Sequence, residues 1–476
     1  MTELNPQLNT LPRGVLNKIH LIGIGGVAMT ALAGLLIEAG YSVTGSDAGL
    51  YPPTSEIIKE LGVAAGIGYG PETLPLDCDL VVIGNVVTSS FPVLARLKEL
   101  GKPYLSLPQT LKALFLNHTR NLVVAGCHGK TTTTALAVKI WETAGLKPGF
   151  LIGGASLDFK WSWRQSQGEY FIIEGDEYDS AFFNKVPKFL HYNPWTVILT
   201  SLEFDHADIY PDLAAVTAAF SEFVALIPPE GRLLAWGDDP LVRRVAVSVR
   251  APVEFYGQNP DNDWRMTSFR SVGWGSNFEL TGPKGVYTRL FLPRPGVYNV
   301  LNAVAAVAAF LGSGGDGRVL APALAGFRGV RRRQELLGVF GGVDLIDDFA
   351  HHPTAVAATL TGLRRVYGHR RLLAAFEPRS NTSRRAVFQQ DYARSLALAD
   401  AVFLRRTSDP DKAPVGDWLD IDRLAGEIGA EIFEDGASLG EALVEEARAG
   451  DVVVVMSNGD FEGLTDFLKK NLNKSG

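Results

Sequence analysis

Runs of continuously apolar residues, each ending in a glycine-rich or polar turn and followed by a helical period, set the rhythm of this chain. KIHLIGIGGVAMTALAGLL (18–36) is the first instance and RNLVVAGCHGKTTTTALAVKIWETAG (120–145) the second. Further on, RRLLAAFEPRSNTSR (370–384) and DVVVVMSNGDFEGL (451–464) read as buried strands feeding loops. Strands that are apolar throughout and alternate with helical periods predict parallel sheets covered on both faces. From about Arg232 to Leu292 aromatics, glycines and alternating residues predict an antiparallel excursion of short strands. LNHTR (116–120) reads as a first linker and GVRRRQELLG (329–338) as a second junction. No solenoid-length repeat or low-complexity segment interrupts this pattern.

Composition fits that picture. A length of 476 residues predicts about three domains at roughly 100–200 residues each. Hydrophobic residues make up 46% and charged residues 20%, a globular balance with enough apolar material for a core in each domain. The formal net charge of −7 excludes a broad basic field for nucleic acid, so any phosphate must be held by local devices. Cys78 and Cys127, the 2 cysteines, stand near strand ends and make no disulfide framework, which points to a reducing cytoplasm. The opening MTELNPQLNTLPRG lacks the apolar core of a signal peptide. LNAVAAVAAF (301–310) and DVVVVM (451–456) are too short to span a bilayer, so a soluble cytoplasmic protein is expected.

AGCHGKTTTT (125–134) lies between the strand NLVVA and a helical run. It resembles a P-loop shortened by two residues between Gly126 and Gly129-Lys130-Thr131. Glycines let backbone N–H groups face phosphate oxygens, and the following helix adds its positive end. Lys130 can reach the β- and γ-phosphates, and the Thr131 hydroxyl can ligate Mg²⁺. Read alone, the same segment is a strand-to-helix turn with an exposed lysine.

Two acidic loops follow. EYFIIEGDEYDSAFF (169–183) carries Glu174, Asp176, Glu177 and Asp179 past a strand, and TVILTSLEFDHADIYPD carries Glu203, Asp205, His206 and Asp208 past the next. Either could be a solvated loop. Two of them after a phosphate loop point to a held divalent cation. In PGVYNVLNAVAAVAA (295–309), Asn299 and Asn302 stand three apart at a helix start and share a face, as a capping pair or as ligand contacts. DLIDDFAHHPTAV (344–356) gathers Asp347, Asp348, His351 and His352; with no cysteine nearby, dedicated zinc binding is disfavoured. In the first region GIGGVA (23–28) follows a strand and Asp47 comes about twenty residues later, the spacing of a diphosphate-and-ribose fingerprint.

These motifs together resemble the Mur ligase family. G-[TC]-H-G-K-T-T-T, E-x-D-E-x-D, the D-H-x-D loop, [HY]-N-x-x-N-A-x-A-A and the D-D-x-x-H-H-P segment all have counterparts here, and the resemblance covers nearly the whole chain. It implies an α/β fold of three domains: a Rossmann-like N-terminal domain (1–118) holding UDP-muramic acid, a central P-loop NTPase-like domain (119–328) with the small antiparallel excursion, and a Rossmann-like C-terminal domain (329–476) for the peptide or amine. It implies ATP contacts at Gly126, His128, Gly129, Lys130, Thr131, Thr132, Asn299, Asn302 and Asp348. Mg²⁺ would sit on Thr131, Glu174 and His206, with Arg332 or Arg333 on the γ-phosphate. Gly25, Gly26, Ser46, Asp47 and Asn85 are the positions implied for the UDP-sugar, and His351, Arg379, Ser380 and Asn381, with Arg384 beside them, for the remaining substrate. Residues 207–231 contain no lysine, so the carbamoylated lysine of several relatives has no counterpart there.

Four segments depart from the branch that adds L-alanine: IGNVVTSSFP, EYDSAFFNKVPKFLHYNP, EPRSNTSR and VMSNGDFEG. They resemble the branch that attaches L-alanyl-γ-D-glutamyl-meso-diaminopimelate to UDP-N-acetylmuramate through an acyl phosphate. L-alanine as acceptor is the alternative. An NAD(P)-dependent oxidoreductase built on the first domain and a P-loop regulatory module without turnover are the readings from other classes. No nucleic-acid or membrane partner is expected.

Overall fold

The computed structural model describes residues 16–204, 209–406 and 417–474, which gather into two compact units. The first comprises the chain up to Leu202 with Val216–Asp263 and Ala305–Val319. It opens with β1 (Lys18–Ile22), β2 (Ser42–Asp47), β3 (Ala64–Ile67), β4 (Leu80–Ile83) and β5 (Tyr104–Ser106). These form a wholly parallel sheet in the order β3-β2-β1-β4-β5, a dinucleotide-fold half with its crossover between β1 and β4. In KIHLI the four residues after Lys18 are all buried, on both faces of the strand, as expected of a parallel sheet covered on both sides.

A second parallel sheet follows in the same unit. Its strands are β6 (Arg120–Ala125), β7 (Gly149–Leu151), β8 (Trp163–Arg164) and β9 (Tyr170–Glu174), then, after the separate antiparallel pair β10 (Asp179–Ala181) and β11 (Asn184–Pro187), β12 (Pro194–Leu199), β13 (Arg232–Trp236) and β14 (Val253–Gly257). Within the unit they run β14-β13-β12-β6-β9-β7-β8, all parallel except β8. Several contacts join this part of the unit to the first sheet and its helices, among them two apolar ones. Trp163 presses on the helix Val27–Glu38 at Gly34, where a Cβ would lie 2.0 Å from the indole. Phe182 and Phe183, between β10 and β11, pack with Tyr69, Phe91 and Tyr104 against the buried cluster that includes Ile22, Leu74, Val81 and Ile83.

The second unit contains Glu203–Ala215, Trp264–Val304 and the chain from Leu320 onward. β15 (Trp264–Val272), β16 (Gly275–Gly282) and β17 (Val286–Leu292) make an antiparallel meander. The antiparallel excursion therefore starts at Trp264, not near Arg232. RLLAW and VEFYG are short apolar runs joined through the helix Pro240–Ala246, and that crossover makes β13 and β14 parallel.

The remaining sheet is ordered β18-β19-β23-β20-β21-β22, from β18 (Glu335–Phe340), β19 (Val343–Asp348), β20 (Leu372–Phe376), β21 (Ala401–Arg405), β22 (Glu431–Phe433) and β23 (Val452–Met456). β18 is an antiparallel edge on β19, so residues 335–338 of the expected second junction are strand. Likewise Leu116 closes a helical turn and Arg120 opens β6, which narrows the expected first linker to Asn117–Thr119. Among the described residues no helix is long and apolar enough to cross a membrane.

Candidate active site

β6 delivers the chain into the glycine loop, and the helix Lys130–Thr143 leaves it. Gly126 has φ 131° and Gly129 φ 79°, conformations open to glycine; a Cβ on Gly126 would meet Thr200 Oγ1 at 2.2 Å. The loop is braced from the end of β12. Ser201 O accepts the N–H of Cys127 (2.8 Å), Ser201 Oγ accepts the N–H of His128 (3.0 Å), and Thr200 Oγ1 donates to His128 O (2.6 Å). Thr131 and Thr132 are buried in the first turn of the helix, and His128 is half-buried.

Glu174, the last residue of β9, receives the Thr131 hydroxyl on Oε1 (3.2 Å) and the Gly153 N–H on Oε2 (3.0 Å). A carboxylate and a hydroxyl on one spot are the hard oxygen donors that Mg²⁺ prefers, so this pair fits the expected cation. Lys130 Nζ donates to both carboxylate oxygens of Glu177, each at 2.8 Å. Burial opposes the charge on Lys130, but Glu177, Glu174 and Asp176 outweigh it and raise the ammonium pKa. Asp176 is paired with Lys188 at 2.6 Å; burial works against its ionisation, yet Lys188 and Lys130 bring its pKa below the ordinary carboxylate value. Asp179 lies 3.1 Å from Lys185. Asp205, His206 and Asp208 fall outside the described residues, as does the opening stretch 1–15.

In the first sheet, Gly25 and Gly26 lie between β1 and the helix Val27–Glu38, with Gly26 exposed. Asp47 accepts the Gly25 N–H on Oδ2 (2.7 Å) and the Tyr69 hydroxyl on Oδ1 (3.0 Å). Burial and the neighbouring carboxylate push the Tyr69 phenol up to about 12. Asn85 is exposed just past β4, in a loop whose Val86 comes within 3.5 Å of where a Cβ on Gly23 would stand. Ser46 is different: its fully buried hydroxyl lies 3.4 Å from His20 Nε2, inside the sheet.

In the second unit, Asn299 sits in the helix Val297–Gly312 and donates to Pro295 O (2.7 Å) and to Gln334 Oε1 (3.0 Å). Asn302, one turn further, is buried. Gln334 also donates its N–H to Asp348 Oδ2 at 2.7 Å, which ties the helix to the end of β19. Burial pushes Asp348 up to about 6 against the pull of Arg333. Arg333 lies 4.3 Å from the centre of the Phe349 ring, whereas Arg332 donates to Ser457 O (2.6 Å) and stands 3.4 Å from Asp347. Arg332 and Arg333 are thus held by the loops closing this sheet, whereas Arg331 is exposed.

His351 places Nδ1 3.0 Å from Phe349 O, and His352 caps the helix Pro353–Tyr367 while sitting 3.4 Å from Glu203. Arg379 is half-exposed and 3.5 Å from Asp460; Ser380 Oγ donates to Ser383 Oγ (2.9 Å); Asn381 is exposed and Arg384 buried.

The structure therefore gathers Gly126, His128, Gly129, Lys130, Thr131, Thr132 and Glu174 into one cradle, and links Asn299 to Asp348 through Gln334, with Arg333 acting on Asp348. These two sets belong to different units. Sequence reasoning missed the bracing role of Thr200 and Ser201, the N–H of Gly153, the bridge at Gln334 and the Ser457–Glu377 bond (2.5 Å). Only Thr200 and Ser201 had a signal, as two hydroxyl residues at a strand end facing a phosphate loop.

Three family models cover the chain: the Mur ligase family catalytic domain over residues 18–119, the Mur ligase middle domain over 124–310, and the Mur ligase glutamate ligase domain over 332–459. The chain belongs to the Mur ligase family and is an amide-forming ligase. It is 39% identical over 466 residues, 96% of this chain and 98% of the other, to the UDP-N-acetylmuramate–L-alanyl-gamma-D-glutamyl-meso-2,6-diaminoheptandioate ligase of Escherichia coli K12. It is 33% identical over 451 residues, 94% of this chain and 97% of the other, to the UDP-N-acetylmuramate–L-alanine ligase of Oleidesulfovibrio alaskensis. The crystal structure of a murein peptide ligase from Psychrobacter arcticus 273-4 superposes with a TM-score of 0.74 at 34% identity, covering 96% of this chain and 99% of that one. That likeness carries the three-domain α/β architecture.

Proposed function

We propose that the chain joins the carboxylate of UDP-N-acetylmuramate to the amine of the L-alanyl-γ-D-glutamyl-meso-diaminopimelate tripeptide, at the expense of ATP and with Mg²⁺, in the cytoplasm. The observation that carries the reading is the cradle in which Lys130 and the Thr131–Glu174 pair converge beside a braced glycine loop. The E. coli relative at 39% identity, named for the tripeptide reaction, supports that acceptor over L-alanine. Residues 1–118 would hold the UDP-sugar, 119–328 the nucleotide and 329–476 the peptide.

A carboxylate does not condense with an amine in water, so its oxygen must first become a phosphate leaving group. Lys130 and an arginine at 332 or 333 neutralise charge on the transferring phosphoryl group. Thr131 and Glu174, with His206, would hold Mg²⁺, which would supply a Lewis acid for the same oxygens. The incoming α-amine then displaces phosphate. Arg379, Ser380 and Asn381 offer a cation and hydrogen-bonding groups for the peptide carboxylates.

The test compares free tripeptide, tetrapeptide and L-alanine as acceptors with UDP-N-acetylmuramate, ATP and Mg²⁺, following phosphate release and product mass. Tripeptide ligation supports the proposal. Turnover with L-alanine alone would move the chain to the other branch, and no ATP consumption with any acceptor would overturn the reading.

A further inference from the structure

Each of three carboxylates at and just past the end of β9 has its own partner. Glu174 faces Thr131 and Gly153, and Asp176 holds Lys188. Glu177 holds Lys130, with both oxygens 2.8 Å from Nζ and side-chain exposures of 2% and 14%. The first two arrangements suit a cation site and a loop anchor. The third does neither, because an ammonium already sits where a metal would have to bind.

An ammonium has three N–H groups. A carboxylate gripping it with both oxygens occupies up to two of them and leaves the remainder pointing one way. The lysine stem has four rotatable carbons and, unrestrained, samples many rotamers. The helix Lys130–Thr143 fixes where the stem begins, and Glu177 fixes where it ends.

We infer that Glu177 is a positioning residue: by clamping the Lys130 ammonium it aims the free N–H at the terminal phosphate of a bound nucleoside triphosphate and holds it there during transfer. This rests on the ATP-dependent reading above. Misplacing a group by about 1 Å can lower a rate by up to 10²-fold, so the clamp is expected to act on turnover more than on binding.

The experiment uses the full chain with UDP-N-acetylmuramate, tripeptide and Mg²⁺-ATP, comparing the parent with Glu177→Gln and Glu177→Asp. Glu177→Gln is expected to lower kcat by at least about tenfold while KM for ATP shifts by less than about threefold. Glu177→Asp, which keeps the charge but shortens the reach, should fall between the two. A kcat within threefold of the parent for Glu177→Gln overturns the inference. So does an activity loss that merely tracks a lowered melting temperature, which would make the pair structural. Should Glu177→Gln not fold, Glu177→Asp decides: a kcat equal to the parent's overturns the inference, and a reduced kcat at unchanged KM and melting temperature supports it. A parent chain that consumes no ATP would instead sink the functional reading.

Discussion

Asp47 Oδ2 accepts the backbone N–H of Gly25 at 2.7 Å, so the acid expected to meet a ribose hydroxyl also fixes the glycine loop that would face the diphosphate. Its other oxygen takes the Tyr69 hydroxyl at 3.0 Å, and Tyr69 is stacked on Phe91 with ring centres 4.5 Å apart. One carboxylate therefore ties together the loop after β1, the end of β2 and the segment after β3. Asp47→Ala should weaken UDP-N-acetylmuramate by roughly tenfold or more, because the Gly25 N–H loses a charged partner worth about 1.5–3 kcal/mol. Calorimetric titration with the UDP-sugar checks this; unchanged affinity would show that the loop holds its shape unaided.

Gly153 offers a subtler handle on the cation. A Cβ there would lie 2.4 Å from Glu174 Oε2, the end of a movable side chain, so Gly153→Ala displaces the carboxylate more than it strains the fold. Disturbing the support of a metal ligand lowers affinity by about 10–100-fold. The Mg²⁺ concentration giving half-maximal activity should rise by at least about tenfold, with the melting temperature little changed. Identical Mg²⁺ curves for variant and parent would remove Glu174 from the cation site.

The contact of Trp163 with Gly34 makes a stability prediction. Alanine is about 1 kcal/mol better than glycine inside a helix. At Gly34, however, its methyl would stand 2.0 Å from an indole buried to 3% exposure. Overpacking of this kind destabilises by about 1–3 kcal/mol. Gly34→Ala should lower the melting temperature despite the helical preference, and a rise would mean that the indole moves aside freely.

His20 gives the first unit an acid sensitivity. Burial brings its pKa from 6.5 down to about 4, so the folded chain keeps the imidazole neutral between Thr44 (2.9 Å) and Ser46. The unfolded chain takes up a proton below about pH 6.5. Stability from the neutral ring is therefore complete above that pH and lost as pH falls toward 4, about 2–3 kcal/mol by pH 4.5. His20→Gln has no proton to gain. Urea midpoints at pH 7.5 and 4.5 should fall further in the parent than in this variant; equal falls would contradict the assignment.

What could be read from the sequence follows the range of the interactions. The runs at 18–22, 121–125 and 451–456 announced buried parallel strands because a strand apolar on both faces is visible locally. The loop at 126–131 was equally plain, since its glycines answer to backbone geometry within a few residues. β13 and β14 were misassigned because pairing direction depends on the connection, here the helix Pro240–Ala246. Gln334 was invisible for a related reason. Its partners Asn299 and Asp348 lie 35 and 14 residues away, and a buried glutamine has no periodicity to betray it. The surroundings of Ser46 were equally hidden, since its hydroxyl faces His20, 26 residues away, within the sheet.

The three hydrogen bonds from Thr200 and Ser201 bear on the thermodynamics of nucleotide capture. Ordering a loop of exposed amides carries an entropy loss, and a loop already shaped by a neighbouring strand incurs it during folding, before any ligand arrives. Nucleotide binding here should accordingly show a small conformational penalty, and removing the Ser201 hydroxyl would shift that penalty onto the binding step.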